Sequence, residues 1–230
     1  MGAASFDPAD LSKRTKALAV VGLAAAVLFI FGHDADIYWL RMVTKAVPVL
    51  CMALAIAFQT DKGRYQWLVI TGLLFCAGGD LLLEASPATF VFGLVSFLLG
   101  HVFYIAAFVQ DCRKPYWGRA ALAYGYGVLI FAVLFFAGDL GDMTIPVLAY
   151  VIVICTMLWR AAARYGDPEV MPESGRTGFW GAVMFVFSDT VLAVSRFGVL
   201  AHPYLRYVVI ISYWLGQLDI TRAAITQKKG

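Results

Sequence analysis

Apolar residues run through this chain in long stretches that alternate with short polar or Gly/Pro-containing breaks. An α-helix needs ~20 mostly apolar residues to cross the hydrocarbon core of a bilayer, and most of the stretches approach that length. The pattern therefore predicts eight membrane-spanning helices joined by short connections. Their expected ranges are 17–31, 38–58, 65–83, 90–108, 120–137, 144–163, 177–194 and 204–225.

The composition is that of an all-α polytopic membrane protein, a bundle of eight transmembrane helices. Hydrophobic residues make up 61% of the chain and charged residues 14%, whereas water-soluble domains carry about 25% charged residues. Because the apolar stretches extend over the whole length, we expect residues 1–230 to form a single integral membrane domain. The first stretch lacks a small-residue cleavage pattern, so we expect it to be retained as a helix.

The pattern gives no reason to expect a cofactor, a metal ion or a nucleic-acid partner. The four cysteines form no CxxC pair and three lie in apolar stretches, which is typical of small buried side chains. The three histidines show no HxxxH or HExxH spacing, which a zinc site on a helix would need. Basic clusters with interleaved aromatic residues are absent.

The basic residues predict how the chain crosses the membrane. Lysine and arginine accumulate on the cytoplasmic side of membrane proteins. Here they cluster at alternate ends of the expected helices, which favours a bundle with both termini in the cytoplasm. The membrane would be the inner membrane of a bacterium or the endoplasmic reticulum of a eukaryote. The clustered residues are Lys13, Arg14, Lys16, Lys62, Arg64, Arg113, Lys114, Arg119, Arg160, Arg164, Arg176, Arg222, Lys228 and Lys229.

Two aspartates lie inside apolar stretches, and their surroundings repeat. Asp80 follows Gly72 by eight residues in the third expected helix, and Asp189 follows Gly181 by eight residues in the seventh. A charge at the centre of a membrane helix costs at least ~2.5–3.5 kcal/mol, so such residues are candidates for a functional role. The repeated setting suggests that the two aspartates form one site between two helices.

The two aspartates are also expected at similar depths. The third and seventh helices run in the same direction, and both carboxyl groups lie roughly 6–10 Å from the outer helix ends at a rise of 1.5 Å per residue. Other polar residues reach the same half of the membrane. We expect a polar cavity entered from the outer leaflet, with further lining residues Lys45, His101, Tyr104, Tyr213 and Gln217. His101, Tyr104 and Gln217 are predicted to form its floor.

Each of these residues also has a purely structural interpretation. Asp80 could form an ion pair with Lys45, and Asp189 with Arg196. Lys45 could extend towards the membrane interface, as long basic side chains do. Polar residues such as His101 also form hydrogen bonds between membrane helices. The tyrosines and the glutamine could serve packing alone.

The chemistry available to two carboxyl groups favours acid–base catalysis. In a cavity of low dielectric constant both cannot ionise cheaply, which leaves one proton donor and one anion. That combination suits a reaction through an oxocarbenium ion, as in two-carboxylate glycosidases. Among lipids, vinyl ethers react in this way, because protonation of the vinyl carbon generates such an ion. The residues alone favour acid–base chemistry on a lipid-like molecule without choosing the lipid.

Several ordered stretches resemble the YhhN family of multi-pass membrane proteins, which includes the lysoplasmalogenases. They are Lys45–Pro48, Gly72–Leu83, Gly93–Phe97, Gly100–Tyr104, Ala107-Phe108, Pro146–Tyr150, Met157–Arg160, Gly181, Phe187–Leu192 and Tyr213–Gln217. The resemblance implies hydrolysis of the vinyl ether of 1-alkenyl lysophospholipids, which gives a fatty aldehyde and glycerophosphocholine or glycerophosphoethanolamine. The two membrane aspartates of the family map onto Asp80 and Asp189.

We therefore expect Asp80 and Asp189 to be the catalytic residues. Lys45 is expected at the substrate phosphate or beside the aspartates, and the other cavity residues at the lysophospholipid substrate. Two other functions remain open. A proton-coupled transporter would also use intramembrane polar residues and an internal repeat, and a non-catalytic protein could bind lipid in the same cavity.

Overall fold

The structure, a computed structural model, describes residues 8–227 and confirms the expected fold class. Lys228 and Lys229, two of the basic residues counted above, lie outside the described residues. The described part is helical and contains no strand. Eight helical segments are long and apolar enough to cross a membrane, as predicted: Ser12–Asp34, Tyr38–Ala57, Arg64–Ala85, Pro87–Asp111, Trp117–Ala137, Gly141–Arg164, Pro172–Arg196 and Leu205–Thr226.

Nine α-helices make up these eight segments. Short 3₁₀ turns at Pro87–Thr89 and Gly141–Met143 precede two of them. The helices are α1 Pro8–Asp34, α2 Tyr38–Lys45, α3 Val47–Ala57, α4 Arg64–Ala85, α5 Phe90–Asp111, α6 Trp117–Ala137, α7 Thr144–Arg164, α8 Pro172–Arg196 and α9 Leu205–Thr226.

The second spanning segment is divided, although the sequence pattern predicted one helix over 38–58. The helix α2 ends at Lys45 and α3 begins at Val47, so the break falls at Ala46. Pro48 causes it, because proline has no amide hydrogen to donate to the carbonyl of Thr44 and its ring collides with that carbonyl. The break puts Lys45 at the end of a short helix.

The packing of the helices repeats within the chain. In the first half α1 packs on α3, α3 on α4 and α4 on α5; in the second half α6 packs on α7, α7 on α8 and α8 on α9. The halves meet where α3 contacts α9 and α5 contacts α7. Four crossings separate corresponding helices, so the halves have the same orientation. This is the arrangement of a parallel repeat about an axis along the membrane normal.

Paired glycines permit the closest helix crossings in both halves. A Cβ atom on Gly181 would lie 2.8 Å from the carbonyl oxygen of Gly216, and one on Gly216 would lie 2.9 Å from the carbonyl oxygen of Gly181. The crossing of α4 and α5 is equivalent. A Cβ atom on Gly72 would lie 3.1 Å from the carbonyl oxygen of Gly100, and one on Gly100 would lie 3.0 Å from the carbonyl oxygen of Gly72. Each crossing therefore fixes a helix whose aspartate follows roughly two turns later.

A buried arginine joins four helices at the end of the bundle where most of the lysine and arginine residues cluster. We call this end the basic end. The Arg164 side chain on α7 is fully buried and donates two hydrogen bonds of 2.9 Å to Asp111 on α5. It also donates to the hydroxyl of Ser174 on α8 at 2.6 Å, and that hydroxyl donates to the carbonyl of Ala223 on α9 at 2.8 Å. A buried charge held by this many partners fixes the relative positions of the helices.

Substitution at a glycine crossing should destabilise the bundle. Gly181→Ala should lower the thermal unfolding temperature in detergent, because its Cβ would meet backbone atoms of α9 that cannot move independently. Gly125→Ala on α6 is the matched control, since a Cβ there meets nothing within 4 Å. Alanine exceeds glycine in helix propensity by about 1 kcal/mol, so the control should be neutral or stabilising. Equal effects of the two substitutions would contradict the close crossing.

Candidate functional site

A cavity of about 430 Å³ lies in the half of the bundle opposite the basic end. It extends to the connection between α8 and α9, where His202 and Pro203 contribute to its wall. Its size falls within the range of about 300–1,000 Å³ that is usual for small-molecule sites. Most of the lining residues are apolar, and the polar ones are concentrated in two layers.

The layer nearest the end of the bundle is rich in basic side chains. Glu84 is the acidic residue of this layer. The basic residues of this layer are His33, Lys45, Arg196, His202 and Arg206. We call this layer the mouth of the cavity.

The second layer contains both predicted catalytic aspartates. Asp80 on α4 is 2% exposed, and its Oδ2 accepts a hydrogen bond of 2.8 Å from the hydroxyl of Tyr213 on α9. Asp189 on α8 is partly buried, and its Oδ2 accepts a hydrogen bond of 2.5 Å from the hydroxyl of Tyr150 on α7. Asp80 lies within electrostatic range of Asp189 and of Lys45. The two carboxyl groups therefore line one cavity, each held by a tyrosine from another helix.

The ion pair of Lys45 is with Glu84 and not with either aspartate. The ammonium group lies 3.1 Å from one carboxylate oxygen of Glu84, and the Nε of Arg41 lies 2.8 Å from the other. Neither Asp80 nor Asp189 forms an ion pair with any residue in the range 12–227. The structural alternative in which the aspartates pair with Lys45 and Arg196 is therefore not the arrangement found. Arg196 lies over the ring of Phe90, 4.9 Å from its centroid.

The deepest part of the cavity is apolar. Gly127 on α6 contributes to this layer together with Val151, Ile154 and Cys155 on α7. Cys155 follows the start of α7 by eleven residues, roughly 16 Å along the helix, whereas Asp80 lies five residues from the end of α4, roughly 8 Å. From the mouth inwards the cavity thus presents basic groups, then two carboxyl groups, then hydrocarbon.

Three residues predicted to floor the cavity lie outside its lining. Tyr104 and Gln217 are fully buried between α5 and α9, where the tyrosine hydroxyl donates to Oε1 of the glutamine at 2.7 Å. His101 is also fully buried, with its ring 5.3 Å from that of Tyr150 and 4.6 Å from that of Phe185. The direction in which each side chain points around its helix depends on how the helices pack, and the sequence pattern did not contain it.

The positions of His101 and Gln217 follow from the glycine crossings. Each comes directly after a crossing glycine, Gly100 or Gly216, and each contacts a helix of the other half of the repeat. They therefore lie behind the site: His101 touches Tyr150, which holds Asp189. The prediction that these residues line the cavity is therefore corrected: they lie behind its wall.

The cysteines are free and buried, as the sequence predicted, and no disulfide links them. Within the described residues no three His, Cys, Asp or Glu side chains come together in a way that could hold a metal ion. The expectation of a site without a cofactor stays a prediction.

The comparisons with known proteins identify the family. The YhhN family model matches residues 40–224. This chain belongs to the YhhN family. The matched range covers α3 to α8 whole and nearly all of α2 and α9, so it contains both aspartates and both tyrosines that hold them.

Curated relatives of this YhhN protein carry the name lysoplasmalogenase. The chain is 32% identical over 191 residues to lysoplasmalogenase TMEM86B of Rattus norvegicus, covering 81% of this chain and 74% of the relative. It is 32% identical over 195 residues to lysoplasmalogenase TMEM86B of Homo sapiens, covering 81% and 76%. A lysoplasmalogenase of Mycobacterium tuberculosis is 34% identical over 184 residues, covering 76% and 66%. No solved structure matches this chain.

Two residues of the site were not singled out in the sequence. Tyr150 lies in a stretch that resembles the family, but nothing in its spacing connects it with Asp189 on another helix. Glu84 follows Asp80 by four residues, which puts both carboxyl groups on one face of α4. That spacing is the signal that could have indicated Glu84 as the partner of Lys45.

Removing the charge of Glu84 should destabilise this YhhN protein. Glu84→Gln leaves the mostly buried ammonium group of Lys45 without its counter-charge, while Arg41 keeps its ion pair with the exposed Asp36. We expect a loss of about 2 kcal/mol of unfolding free energy, less than the 3–5 kcal/mol for breaking a fully buried pair. Thermal unfolding in detergent measures it.

Glu169→Gln provides the matched control. Glu169 also pairs with a lysine at 3.1 Å, but its side chain is 68% exposed, and such surface pairs contribute about 0–1 kcal/mol. A loss at Glu84 no larger than that at Glu169 would show that the pair at the mouth is equally dispensable.

Proposed function

We propose that this YhhN protein is a lysoplasmalogenase. It hydrolyses the vinyl ether bond of 1-alkenyl lysophospholipids and releases a fatty aldehyde together with glycerophosphocholine or glycerophosphoethanolamine. The function is supported by the names of relatives whose similarity extends over most of the chain. The observation that carries the proposal is the pair of intramembrane carboxyl groups, Asp80 and Asp189, on the wall of one cavity.

The order of the layers in the cavity matches the order of groups in such a lipid. The basic mouth suits the phosphate, the carboxyl layer suits the vinyl ether, and the apolar end suits the hydrocarbon tail. A lysophospholipid could therefore bind along the axis of the bundle with its reactive bond between Asp80 and Asp189. A cavity of one polarity throughout would not hold the phosphate and the tail at the same time.

The reaction begins with a proton transfer to the vinyl carbon that is not bonded to oxygen. We assign the donor role to Asp189, whose Oδ2 is held by Tyr150 so that Oδ1 is left to carry the proton. The electrons of the double bond form the new C–H bond, and the carbon bonded to oxygen becomes part of an oxocarbenium ion. Asp80 is the anion that stabilises this ion, because Lys45 lies within electrostatic range of it.

Water then completes the hydrolysis. It adds to the cationic carbon and releases a proton, which a carboxylate of the pair accepts, so that a hemiacetal forms. The pair then transfers a proton to the glycerol oxygen and takes the proton of the hemiacetal hydroxyl, so that the carbon–oxygen bond breaks and the aldehyde and the free glycerol hydroxyl form. In sum one vinyl ether and one water give one aldehyde and one alcohol, and the pair of carboxyl groups regains its single proton.

The remaining predicted residues act around this pair. Tyr213 orients Asp80 by its hydrogen bond, and Lys45 supplies a nearby positive charge while Glu84 holds it in position. His101, Tyr104 and Gln217 support the site from behind. Lys45 is therefore proposed to adjust the charge state of Asp80, in preference to binding the phosphate.

We infer from the basic residues that the basic end faces the cytoplasm with both termini. Lys and Arg accumulate there according to the positive-inside rule. The mouth then opens towards the opposite leaflet, of the inner membrane in a bacterium or of the endoplasmic reticulum in a eukaryote. Lysophospholipids in that leaflet would have their phosphates at the level of the mouth.

Neutralising either aspartate should abolish most of the activity. Asp80→Asn and Asp189→Asn should each lower the rate of aldehyde release from an alkenyl lysophospholipid by about 10²–10⁴-fold, the usual contribution of a general acid or base. Asp219→Asn at the basic end is the matched control and should keep the wild-type rate. Purified protein in detergent is assayed for aldehyde.

Two results would count against this mechanism. Near-normal turnover of either aspartate variant would remove the carboxyl pair as the catalytic group. Release of fatty acid from the matching acyl lysophospholipid would indicate ordinary ester hydrolysis, since protonation of a vinyl carbon leaves an ester intact.

Arg196 is proposed to bind the substrate phosphate. Lys45 already pairs with Glu84 and Arg206 with Asp34, whereas Arg196 has no acidic partner among the described residues. Its guanidinium lies against Phe90 in the wall of the mouth. An arginine with unused donors is well suited to a phosphate.

Arg196→Gln should therefore raise KM for an alkenyl lysophospholipid about tenfold or more, as expected for the loss of a charge-assisted hydrogen bond. The value of kcat should change little, and hydrolysis of an alkenylglycerol without a phosphate should be unaffected. Arg222→Gln at the basic end is the control. An equal loss on the substrate without phosphate would assign Arg196 a structural role.

A transporter is the second candidate, because the parallel repeat of two four-crossing halves is also found in carriers. Within residues 8–227 only the first half contains a broken helix, at Ala46, whereas carriers often have a matched pair. Counterflow of a solute in liposomes together with a complete lack of aldehyde release would favour this alternative.

A further inference from the structure

A second apolar depression lies on the outside of the bundle between α6 and α7. It measures about 350 Å³ and faces the surroundings of the bundle, which are lipid in a membrane. We call it the α6–α7 groove. Its residues are Tyr124, Gly127, Val128, Phe131, Ala132, Phe135, Phe136, Leu148, Val151 and Ile152.

The α6–α7 groove backs directly onto the apolar end of the cavity. Gly127 and Val151 belong to the walls of both. A Cβ atom on Gly127 would lie 2.6 Å from the Sγ of Cys155 and 3.1 Å from a methyl group of Val151. The partition between the cavity and the groove is therefore thin at Gly127, and any larger side chain there would thicken it.

We propose that this partition is the port through which the alkenyl tail leaves the cavity, with the distant part of the tail lying in the α6–α7 groove. The inference rests on the proposed function, since it concerns the tail of that substrate. It assigns Gly127 and Val151 the role of determining how long a tail the protein accepts.

The depth of the partition supports this assignment. Gly127 lies ten residues from the end of α6 nearest the mouth, roughly 15 Å along the helix, whereas the carboxyl groups lie roughly 8–10 Å deep. Only a few methylene groups fit between these two levels. A longer tail has to continue past Gly127, and the α6–α7 groove is the apolar space that adjoins it there.

The energetics also favour an exit into lipid. Each methylene group gains free energy when it stays out of water, so a tail that passes from the cavity into the groove loses nothing on the way. A closed pocket would instead require a wall at a fixed distance and would exclude longer tails. An opening to the lipid removes that limit.

The helix α6 has the attachments that a movable wall needs. Arg119 donates to the carbonyl groups of Ala162 and Tyr165, which tethers the basic end of α6 to α7. Nearer the port the side-chain hydrogen bonds are those between the hydroxyls of Tyr124 and Thr156 and between those of Tyr126 and Thr190. The α6 helix packs on α7 and only slightly on α8, so none of the described helices covers its outer face.

The test compares a short and a long substrate on variants of the partition. Gly127→Val should lower kcat/KM for a hexadecenyl lysophospholipid by at least about tenfold, because the added side chain overfills the passage. Hydrolysis of a hexenyl lysophospholipid should stay within about twofold of the wild-type value, because the few carbons beyond its vinyl group end before the partition.

The control lies on the same helix. Gly125→Val adds the same side chain where nothing lies within 4 Å, so both substrates should keep their wild-type rates. Val151→Phe fills the same partition from α7 and should produce the same selective loss. It keeps the test decisive if Gly127→Val does not fold.

The outcomes separate the two proposals. A wild-type protein that hydrolyses neither substrate overturns the proposed function and the port with it. A wild-type protein that hydrolyses both, with variants that lose the short and the long substrate equally or lose neither, overturns the port alone. A loss confined to the long substrate in Gly127→Val or Val151→Phe, and absent in Gly125→Val, supports it.

Discussion

The burial of two carboxyl groups inside a membrane-spanning bundle is the constraint on which the other features of the site depend. Each group would be costly in hydrocarbon without polar partners. Tyr213 and Tyr150 supply one hydrogen bond each, and the cavity gives both groups access to polar molecules. Lys45 adds a positive charge near Asp80, and its ion pair with Glu84 holds it in position. The two carboxyl groups therefore have different surroundings, as a donor and an anion require.

The internal repeat explains how the aspartates reach the same level, and its imperfections explain how they differ. Both follow a crossing glycine by eight residues, so close packing at Gly72 and Gly181 sets their depth. Their partners break the symmetry: Asp80 is held by a tyrosine of α9, Asp189 by one of α7. The break at Ala46 brings Lys45 to the cavity in the first half, while α7 in the second half is continuous. A repeated helix arrangement thus holds two carboxyl groups in unequal surroundings.

The sequence predicted the parts of the structure that depend on one helix at a time. Apolar length predicted the eight crossings, and rise per residue predicted the depth of Asp80 and Asp189. The direction of a side chain around its helix depends on how helices pack against each other, which no single stretch contains. That is why His101, expected in the cavity wall, lies behind Tyr150, and why Tyr150 itself was not singled out.

The difference between depth along a helix and direction around it also determines which features of the cavity relate to the substrate. A lipid substrate differs along its length and hardly at all around its axis, so a site for it has to vary with depth. The cavity does so: its charged groups are at the mouth, its carboxyl groups come next, and Gly127 with Cys155 lies among hydrocarbon. Since helix rise relates depth directly to position in the sequence, the order of these layers follows from the chain itself. The proposed exit at Gly127 does not follow in this way, because the partition there depends on the contact between α6 and α7.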